Sequence, residues 1–265
     1  FNYRIRIVPI VDQDMKLVDY ACFDENIHIS LAQPQLSGNE YKYLMDAFLS
    51  TWISSIGSYI SRFEETFSNY CGVKYGIATS NGTTALHLAL SALDIGSGDE
   101  VIVPDITFAA TINAVLYTGA VPVIVDVEED SWCIDPDEIE KAITPKTKAL
   151  ILCSPSNPTG SVYTKEELAG LSAVLAKHPQ VIVIADEIYE HINYIGAHQS
   201  IAQFPEMKER TVIVNGVSKA YAMTGWRIGF IAGPEWIVKA CNKLQGQYTS
   251  GPCSVSQKAA EVAYT

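Results

Sequence analysis

Positive charge is scarce in this sequence, which carries 18 Lys and Arg against 30 Asp and Glu over 265 residues. The formal net charge is −12 at pH 7, and an acidic surface repels both phosphate backbones and anionic lipid heads. We therefore expect neither nucleic acid nor a membrane as a partner. Long apolar runs are also missing, since no stretch reaches the roughly 20 residues that a bilayer-spanning helix needs. The N-terminus has no apolar core followed by a small-residue cleavage site, so we expect no signal peptide.

Patterns typical of disulfide frameworks, metals and dinucleotides are absent as well. The six cysteines are widely scattered without a CxxC pair, which favours a reduced, cytoplasmic protein. The five histidines show no metal-ligand spacing, so we predict no metal site. Gly96-Ser97-Gly98 lacks the third glycine of a dinucleotide-binding loop and indicates a simple turn. Without internal repeats or low-complexity linkers, we expect an N-terminal segment over residues 1–30 and one large domain over residues 31–265.

Short β-branched runs alternate with helical patterns along the chain, which predicts an α/β fold with a mostly parallel central sheet flanked by helices. Strands are expected at residues 73–79, 101–103, 121–125, 149–153, 181–185 and 212–214. Helices are expected at residues 37–50, 62–70, 85–93, 108–117 and 165–177. Ser37 and Glu40 have the spacing of a capping box, and Thr164 is expected to cap the last of these helices. In such sheets, ligands bind at the carboxyl ends of the strands.

Three loops that follow strands hold polar residues that apolar packing does not require. The first is Ser80-Asn81-Gly82-Thr83-Thr84. A glycine ahead of a helix lets backbone N–H groups approach an anion, and the helix dipole favours negative charge there. An ordinary helix cap would explain the same residues equally well.

Asp186 ends a fully apolar strand in the segment Ala185-Asp186-Glu187-Ile188-Tyr189. A carboxylate in such surroundings is costly unless it is paired with a cation or well hydrogen-bonded. A protonated pyridine nitrogen would be such a partner. A helix cap or a structural ion pair is the alternative explanation.

Lys219 follows the next apolar run, in Asn215-Gly216-Val217-Ser218-Lys219. Small and apolar neighbours would desolvate its amine and favour the neutral form that forms a Schiff base. Arg227, eight residues later, could hold a phosphate in fork geometry. A lone lysine in any other context would be a solvated surface charge.

Together these segments are far more specific than any one of them. Ser154-Pro155-Ser156-Asn157-Pro158-Thr159-Gly160, the Asp-x-x-Tyr of residues 186–189 and the stretch from Ser218 to Arg227 resemble class I aminotransferases of pyridoxal-phosphate (PLP) fold type I. The resemblance covers residues 149–262 and is strongest to aspartate aminotransferases. It implies that Lys219 forms the Schiff base with PLP and shuttles a proton, while Asp186 pairs with the pyridinium nitrogen. It also implies that Tyr189 and Asn157 bind the phenolic oxygen, and that Ser218 and Arg227 bind the phosphate.

Residues 27–149 resemble another fold-type I group, the sugar-nucleotide aminotransferases of the perosamine-synthase type. The resemblance rests on residues 36–40, 50–55, 80–90 and 98–104. It implies that Gly82 and Thr83 bind the phosphate and that Phe108 stacks on the cofactor ring. Plain core packing is the alternative for Phe108. The two halves point to different branches, with a mosaic junction expected near residue 150.

Both resemblances imply the same cofactor and fold but differ in the substrate. We favour an aminotransferase that moves an amino group between an amino acid and a 2-oxo acid, because the residues nearest the chemistry come from that branch. The alternatives are a keto-sugar aminotransferase, another PLP enzyme such as a lyase or decarboxylase, and a non-catalytic PLP-binding fragment. The resemblance also implies a homodimer. In class I enzymes a small C-terminal domain supplies the arginine for the substrate carboxylate, and we expect that domain to be absent here. Gly216 stands where many relatives carry a serine for the phosphate.

Overall fold

A computed structural model describes residues 7–22, 36, 38–54 and 57–265, and the chain divides into two units, residues 1–37 and 38–265. In the first unit, β1 (Ile7–Val11) and β2 (Leu17–Cys22) form an antiparallel hairpin. Asp12 Oδ1 accepts the backbone N–H groups of Asp14 and Lys16, each at 2.9 Å, and so closes the turn. This hairpin was not predicted, because its strands lack a clear two-residue alternation. The boundary predicted after residue 30 lies outside the described residues.

The second unit is built on a seven-stranded sheet with the order β3-β9-β8-β7-β6-β4-β5. Its strands are β3 (Tyr75–Thr79), β4 (Glu100–Pro104), β5 (Val121–Val125), β6 (Thr147–Cys153), β7 (Ile182–Asp186), β8 (Thr211–Gly216) and β9 (Gly229–Gly233). Strands β4 to β8 pair in parallel, whereas β9 is antiparallel to both β8 and β3. Six of the seven strands thus run the same way, which confirms the predicted mostly parallel α/β sheet.

Helices cover both faces of this sheet. They are α1 (Glu40–Leu49), α2 (Ser58–Tyr70), α3 (Gly82–Ala92), α4 (Ala109–Thr118), α5 (Pro136–Ala142), α6 (Lys165–Ala176), α7 (Pro205–Lys208), α8 (Glu235–Tyr248) and α9 (Ser254–Ala263). The fully buried Leu86 and Leu90 of α3 pack in a core with strand residues such as Ile151. On the other face, Leu168 and Leu171 of α6 share a second core with Leu150. None of the described helices is long and apolar enough to cross a membrane.

Helix starts follow local capping chemistry where the sequence predicts it well. The Thr164 hydroxyl accepts the N–H of Glu167 while the Glu167 carboxylate accepts the N–H of Thr164, which confirms the predicted cap of α6. The helix predicted over residues 37–50 is found as α1, but it begins at Glu40 with Asn39 at its N-cap, and the predicted cap residue Ser37 lies outside the described residues. Helix α2 begins at Ser58, four residues before the predicted start.

Two glycines bring backbones into direct contact near the sheet edge where the parallel strands end. A Cβ on Gly229 would lie 2.6 Å from the carbonyl carbon of Asn81, so β9 touches the start of α3 there. A Cβ on Gly216 would lie 2.8 Å from the Cα of Gly229. Both distances are too short for any side chain. The serine that many relatives carry at position 216 therefore has no room here, and α3 begins directly beside the loop between β8 and β9.

Candidate active site

A single cavity at the carboxyl ends of the parallel strands brings together every site residue predicted from the sequence. Its lining includes Gly82, Thr83, Phe108, Asn157, Asp186, Tyr189, Ser218, Lys219 and Arg227. These residues come from five separate loops, each following a strand or preceding a helix. The cavity lies where open α/β sheets ordinarily bind their ligands.

Asp186 ends β7 and projects into this cavity, where it is only partly exposed. Its Oδ1 accepts the backbone N–H of Ile188 at 3.3 Å. Burial raises the pKa of this carboxyl to about 6; the neighbouring Glu187 adds to the rise, whereas the Ile188 N–H and the Lys219 ammonium oppose it. A nearby cation would lower this pKa again and favour the charged form of Asp186.

Tyr189 stands between Asn157 and Lys219. Its hydroxyl accepts a hydrogen bond from Asn157 Nδ2 at 3.1 Å, and the Lys219 amine lies 5.6 Å from the centre of its ring. The Lys219 side chain is exposed, so the apolar surroundings that the sequence predicts for it are not found in this structure. Amine, phenol and amide nevertheless face the same cavity.

The opposite end of the cavity is built from donors. Gly82 is the first residue of α3, and Asn81 caps that helix by accepting the N–H of Thr84 at 2.9 Å. The N–H groups of Gly82 and Thr83 thereby remain available at the positive end of the helix dipole. Arg227 has a left-handed backbone with φ of 57°, and its Nη1 donates to the carbonyl of Thr224 at 2.6 Å. Ser218 is buried beside these groups.

Phe108 is the N-cap residue of α4 and lies at the wall of the cavity. It is 55% exposed, so core packing does not account for it. An aromatic side chain exposed in a cavity offers a flat face for stacking.

Three further lining residues were not predicted from the sequence. The hydroxyls of Thr107 and Thr111 lie 3.0 Å apart, and the Cys153 thiol lies 3.6 Å from Thr107 and 3.5 Å from Thr111. Burial raises the pKa of Cys153 to about 12, and the nearby Asp186 contributes, so the thiol stays neutral. Cys153 ends β6 directly opposite Asp186 on β7. A polar residue at the end of an apolar strand was the same signal that identified Asp186.

Comparisons with known proteins agree on the family. A family model described as the DegT/DnrJ/EryC1/StrS aminotransferase family matches residues 34–186, more than half of the chain. The bifunctional aspartate aminotransferase and glutamate/aspartate-prephenate aminotransferase of Petunia hybrida is 47% identical over 190 residues, covering 71% of this chain and 40% of that protein. The aspartate aminotransferase of Geobacillus stearothermophilus is 49% identical over 174 residues, covering 64% of this chain and 44% of that protein.

Solved structures match over a larger share. The aspartate aminotransferase from Thermus thermophilus with maleate superposes with a TM-score of 0.79 at 34% identity, covering 86% of this chain and 61% of that one. The aromatic aminotransferase from Pyrococcus horikoshii OT3 gives a TM-score of 0.79 at 35% identity, covering 86% of this chain and 64% of that one. The present chain spans about half the length of the curated relatives that it matches, from 39% to 52%.

Proposed function

This chain belongs to the DegT/DnrJ/EryC1/StrS aminotransferase family and has the PLP fold type I, and from that premise we propose that residues 31–265 form the cofactor-binding domain of a PLP-dependent amino acid aminotransferase. The reaction is the transfer of an amino group between an amino acid and a 2-oxo acid. The observation that carries the proposal is that nine residues from five loops line one cavity at the ends of the parallel strands. Relatives named aspartate aminotransferase support the choice of substrates.

The chemistry of the lining fits PLP at both ends. A dianionic phosphate matches the backbone N–H groups of Gly82 and Thr83, the Ser218 hydroxyl and the Arg227 guanidinium. A pyridinium nitrogen matches Asp186, whose raised pKa shows that its carboxylate lacks a sufficient cation. Between them, the Tyr189 and Asn157 pair offers a hydrogen-bonding site for a phenolic oxygen, and Phe108 offers a stacking face. The residues present thus suit this cofactor.

We assign each residue a task that its chemistry supports. Bound PLP supplies an electron sink for bonds made and broken at the substrate's α-carbon. Lys219 holds the cofactor covalently through its amine and, once an amino donor displaces it, carries a proton to and from that carbon. Asp186 keeps the ring nitrogen protonated by holding a negative charge beside it. Arg227, with Ser218 and the start of α3, fixes the phosphate so that the reacting end stays within reach of Lys219.

We also propose that the active protein is a homodimer in a reducing, cytoplasmic compartment. Exposed apolar side chains on α4 and the edge strand β5 support the dimer, because soluble monomers seldom leave such a surface uncovered. Among the described residues these are Leu116, Tyr117, Val121 and Ile124. The free thiols of Cys71, Cys133, Cys153, Cys241 and Cys253 support the compartment.

A keto-sugar acceptor is the second candidate substrate, and one observation favours it. The family model covers residues 34–186, a range that includes the lining residues Gly82, Thr83, Phe108, Asn157 and Asp186. The residues from Asp186 onward supply Lys219 and Arg227, and we choose the amino acid reaction because these groups lie nearest the chemistry.

The experiment is an absorbance spectrum of the purified chain with PLP, recorded before and after adding glutamate or aspartate. We expect a long-wavelength band that requires Lys219 and that disappears when the amino donor converts the cofactor to its amino form. Lys219→Ala is the control. Aminated cofactor is then offered 2-oxoglutarate or a nucleotide-linked keto-sugar, and the acceptor that restores the band identifies the branch. A Lys219-dependent band that no amino donor converts would indicate a lyase, a decarboxylase or a non-catalytic fragment. Absence of any such band would overturn the proposal.

A further inference from the structure

A second cavity lies on the other side of the turn that begins at Asp186. Asp186 and Tyr189 line the cofactor cavity, whereas Glu187 and Glu190 line the second one. Both pairs have the same three-residue spacing, so the turn alternates its side chains between the two cavities. Within the turn, the N–H of Glu190 donates to the carbonyl of Glu187 at 2.9 Å. Whatever holds Glu187 and Glu190 therefore also sets the position of Asp186 and Tyr189.

One side-chain hydrogen bond joins this turn to the strand that leads to Lys219, in addition to the backbone hydrogen bond from the N–H of Glu187 to the carbonyl of Val214 at 2.9 Å. Asn215 Nδ2 donates to Glu190 Oε1 at 2.8 Å, and Asn215 Oδ1 accepts the N–H of Gly216 at 2.7 Å. Asn215 is only 1% exposed and lies on β8, four residues before Lys219. The amide is thus locked in one orientation, with its donor aimed at the turn. The Glu190 carboxylate is the group that receives it.

Charge makes this hydrogen bond sensitive to protons. The side chains of Glu187 and Glu190 are 7% and 9% exposed. A carboxylate oxygen of each and a ring nitrogen of His198 lie within 4.8 Å of one another. Burial, followed by the charge of Glu187, raises the pKa of Glu190 to about 7, although His198, Asn215 and Tyr70 oppose the rise. Burial lowers the pKa of His198, but Glu187, 3.2 Å away, outweighs burial and the net shift is upward. His198 thus lies beside Glu187, while the titration of Glu190 falls near neutral pH.

We propose that Glu190 and Asn215 are positioning residues for the cofactor cavity, and that their hydrogen bond holds the Asp186–Tyr189 turn against the strand that carries Lys219. The proposal rests on the proposed function, because PLP binding is its readout. An ionised carboxylate accepts an amide N–H more strongly than a protonated one does. The turn is therefore held best above the pKa of Glu190, and the hold weakens as pH falls through it. The titratable groups that face Glu190 from the neighbouring elements are Tyr70, Cys71, Glu187, His191, His198, Lys208, Tyr221 and Tyr264.

The test measures the dissociation constant of PLP from about one unit below to about one unit above the pKa of Glu190, for the wild-type chain and for Glu190→Gln. The ratio of the two constants removes the protonation of PLP itself and of Asp186. We expect this ratio to change by about fivefold across the range, the difference between a charged and a neutral acceptor. Glu209→Gln removes an exposed carboxylate without a described partner, and its ratio to wild type should stay constant.

A donor–acceptor exchange separates positioning from plain structural support. Asn215→Asp keeps the acceptor for Gly216 but puts a second carboxylate opposite Glu190, so PLP binding should weaken markedly. In Asn215→Asp combined with Glu190→Gln, the new amide can donate to the new carboxylate, and binding should recover most of that loss. Thermal unfolding of the cofactor-free proteins verifies that all variants are folded.

Three outcomes would overturn the inference. A wild-type to Glu190→Gln ratio that stays flat with pH, or a double variant that binds no better than Asn215→Asp, removes the proposed bond from cofactor binding. Tighter PLP binding with added Zn²⁺ that is lost in His198→Ala would show that a metal, not a proton, governs the turn. A wild-type chain that binds no PLP at any pH instead contradicts the proposed function.

Discussion

The two cavities on either side of the Asp186 turn have opposite chemistry. The cofactor cavity contains one carboxylate, Asp186, together with a lysine, an arginine and the start of a helix. This lining suits a ligand that has an anionic group and one cationic atom. The second cavity has two nearly buried carboxylates, partnered by a histidine and an asparagine. In the first cavity the cationic side chains outnumber the single carboxylate, whereas in the second cavity two carboxylates lie close together. One turn thus supplies an acid that faces the open cofactor cavity and two acids that contact side chains of the protein itself.

This difference indicates where a substitution will act. On the cofactor side, residues meet a group that arrives from solution, so their loss should change binding and chemistry more than folding. On the reverse side, the partners are protein atoms, so loss leaves a buried group unsatisfied and should change folding stability first. Four variants, taken from the largest expected effect to the smallest, sharpen or break this division.

Lys219→Ala should reduce the rate of conversion of PLP by an amino donor by about 10³-fold or more, because both covalent attachment and proton transfer are lost. The free energy of unfolding of the cofactor-free chain should hardly change, since the side chain is exposed. Stopped-flow absorbance and urea unfolding measure the two quantities. Lys146→Ala, also exposed and outside both cavities, is the matched control. A large loss of stability in Lys219→Ala would contradict the division between the two sides.

Asp186→Asn should slow the same conversion by about 10²-fold, because the cationic ring nitrogen loses its counter-charge.

The effect of Asp186→Asn on folding stability should instead be favourable. The pKa of Asp186 rises from 3.8 to about 6 on folding, so the folded state holds this proton more tightly than the unfolded state. The stabilisation that this bound proton contributes is fully present below the pKa of the unfolded state, and it decreases as pH rises toward about 6. Above that pH, the Asn variant without cofactor should be more stable than wild type by about 1–3 kcal/mol. Urea unfolding at several pH values measures this, and equal stabilities at neutral pH would show that the carboxylate is not strained.

His198→Ala should lower the free energy of unfolding by about 2 kcal/mol at neutral pH, because the buried Glu187 carboxylate loses its imidazole partner. Adding Glu187→Gln should recover part of that loss, since the residue left behind is then uncharged. The reference is His87→Ala, whose ring makes an edge contact with Tyr117 on the surface of α3 and α4. If His198→Ala left stability intact but stopped the amino-transfer half-reaction, the second cavity would belong to the chemistry.

Tyr189→Phe should give the smallest change, about fivefold weaker PLP binding, because it removes one hydroxyl that accepts from Asn157 and could donate to the ligand. The phenyl ring remains, and so does its proximity to the Lys219 amine. Tyr194→Phe, at a side chain that is 92% exposed, controls for loss of a tyrosine hydroxyl. Binding titrations resolve the difference, and a much larger loss of PLP binding would show that the Tyr189 hydroxyl supports more than one hydrogen bond.

Sequence patterns predicted the parallel part of the sheet because its strands are short, apolar and β-branched. They did not predict β9, since Gly229 and Gly233 bracket only three apolar residues, and no pattern along the chain shows that this strand runs backward. The helix α5 was missed for a similar reason, because its seven residues include four charged ones and a proline. Element bounds moved by several residues wherever caps were formed by residues other than those predicted, as at α1.

The cofactor cavity could be predicted because its residues all follow strand ends, and parallel strands bring their ends together. The reverse cavity could not. Glu187 and Glu190 carry a weak signal, the same three-residue spacing as Asp186 and Tyr189, but their partner His198 comes from a loop whose path depends on packing alone. The sequence alone predicts no role for Asn215, because only the fold shows that its amide faces the turn.

The reversed direction of β9 has a consequence for how this scaffold can be altered. The loop of residues 217–228 leaves the end of β8 and returns to the adjacent start of β9 at the same edge of the sheet. It carries Ser218, Lys219 and Arg227 together, and both of its ends are anchored by glycine backbones that touch. The loop is thus attached to the sheet at two fixed and adjacent points. We therefore expect that the proposed catalytic and anion-binding groups can be exchanged between relatives in one piece, without rebuilding the helices that complete the cavity.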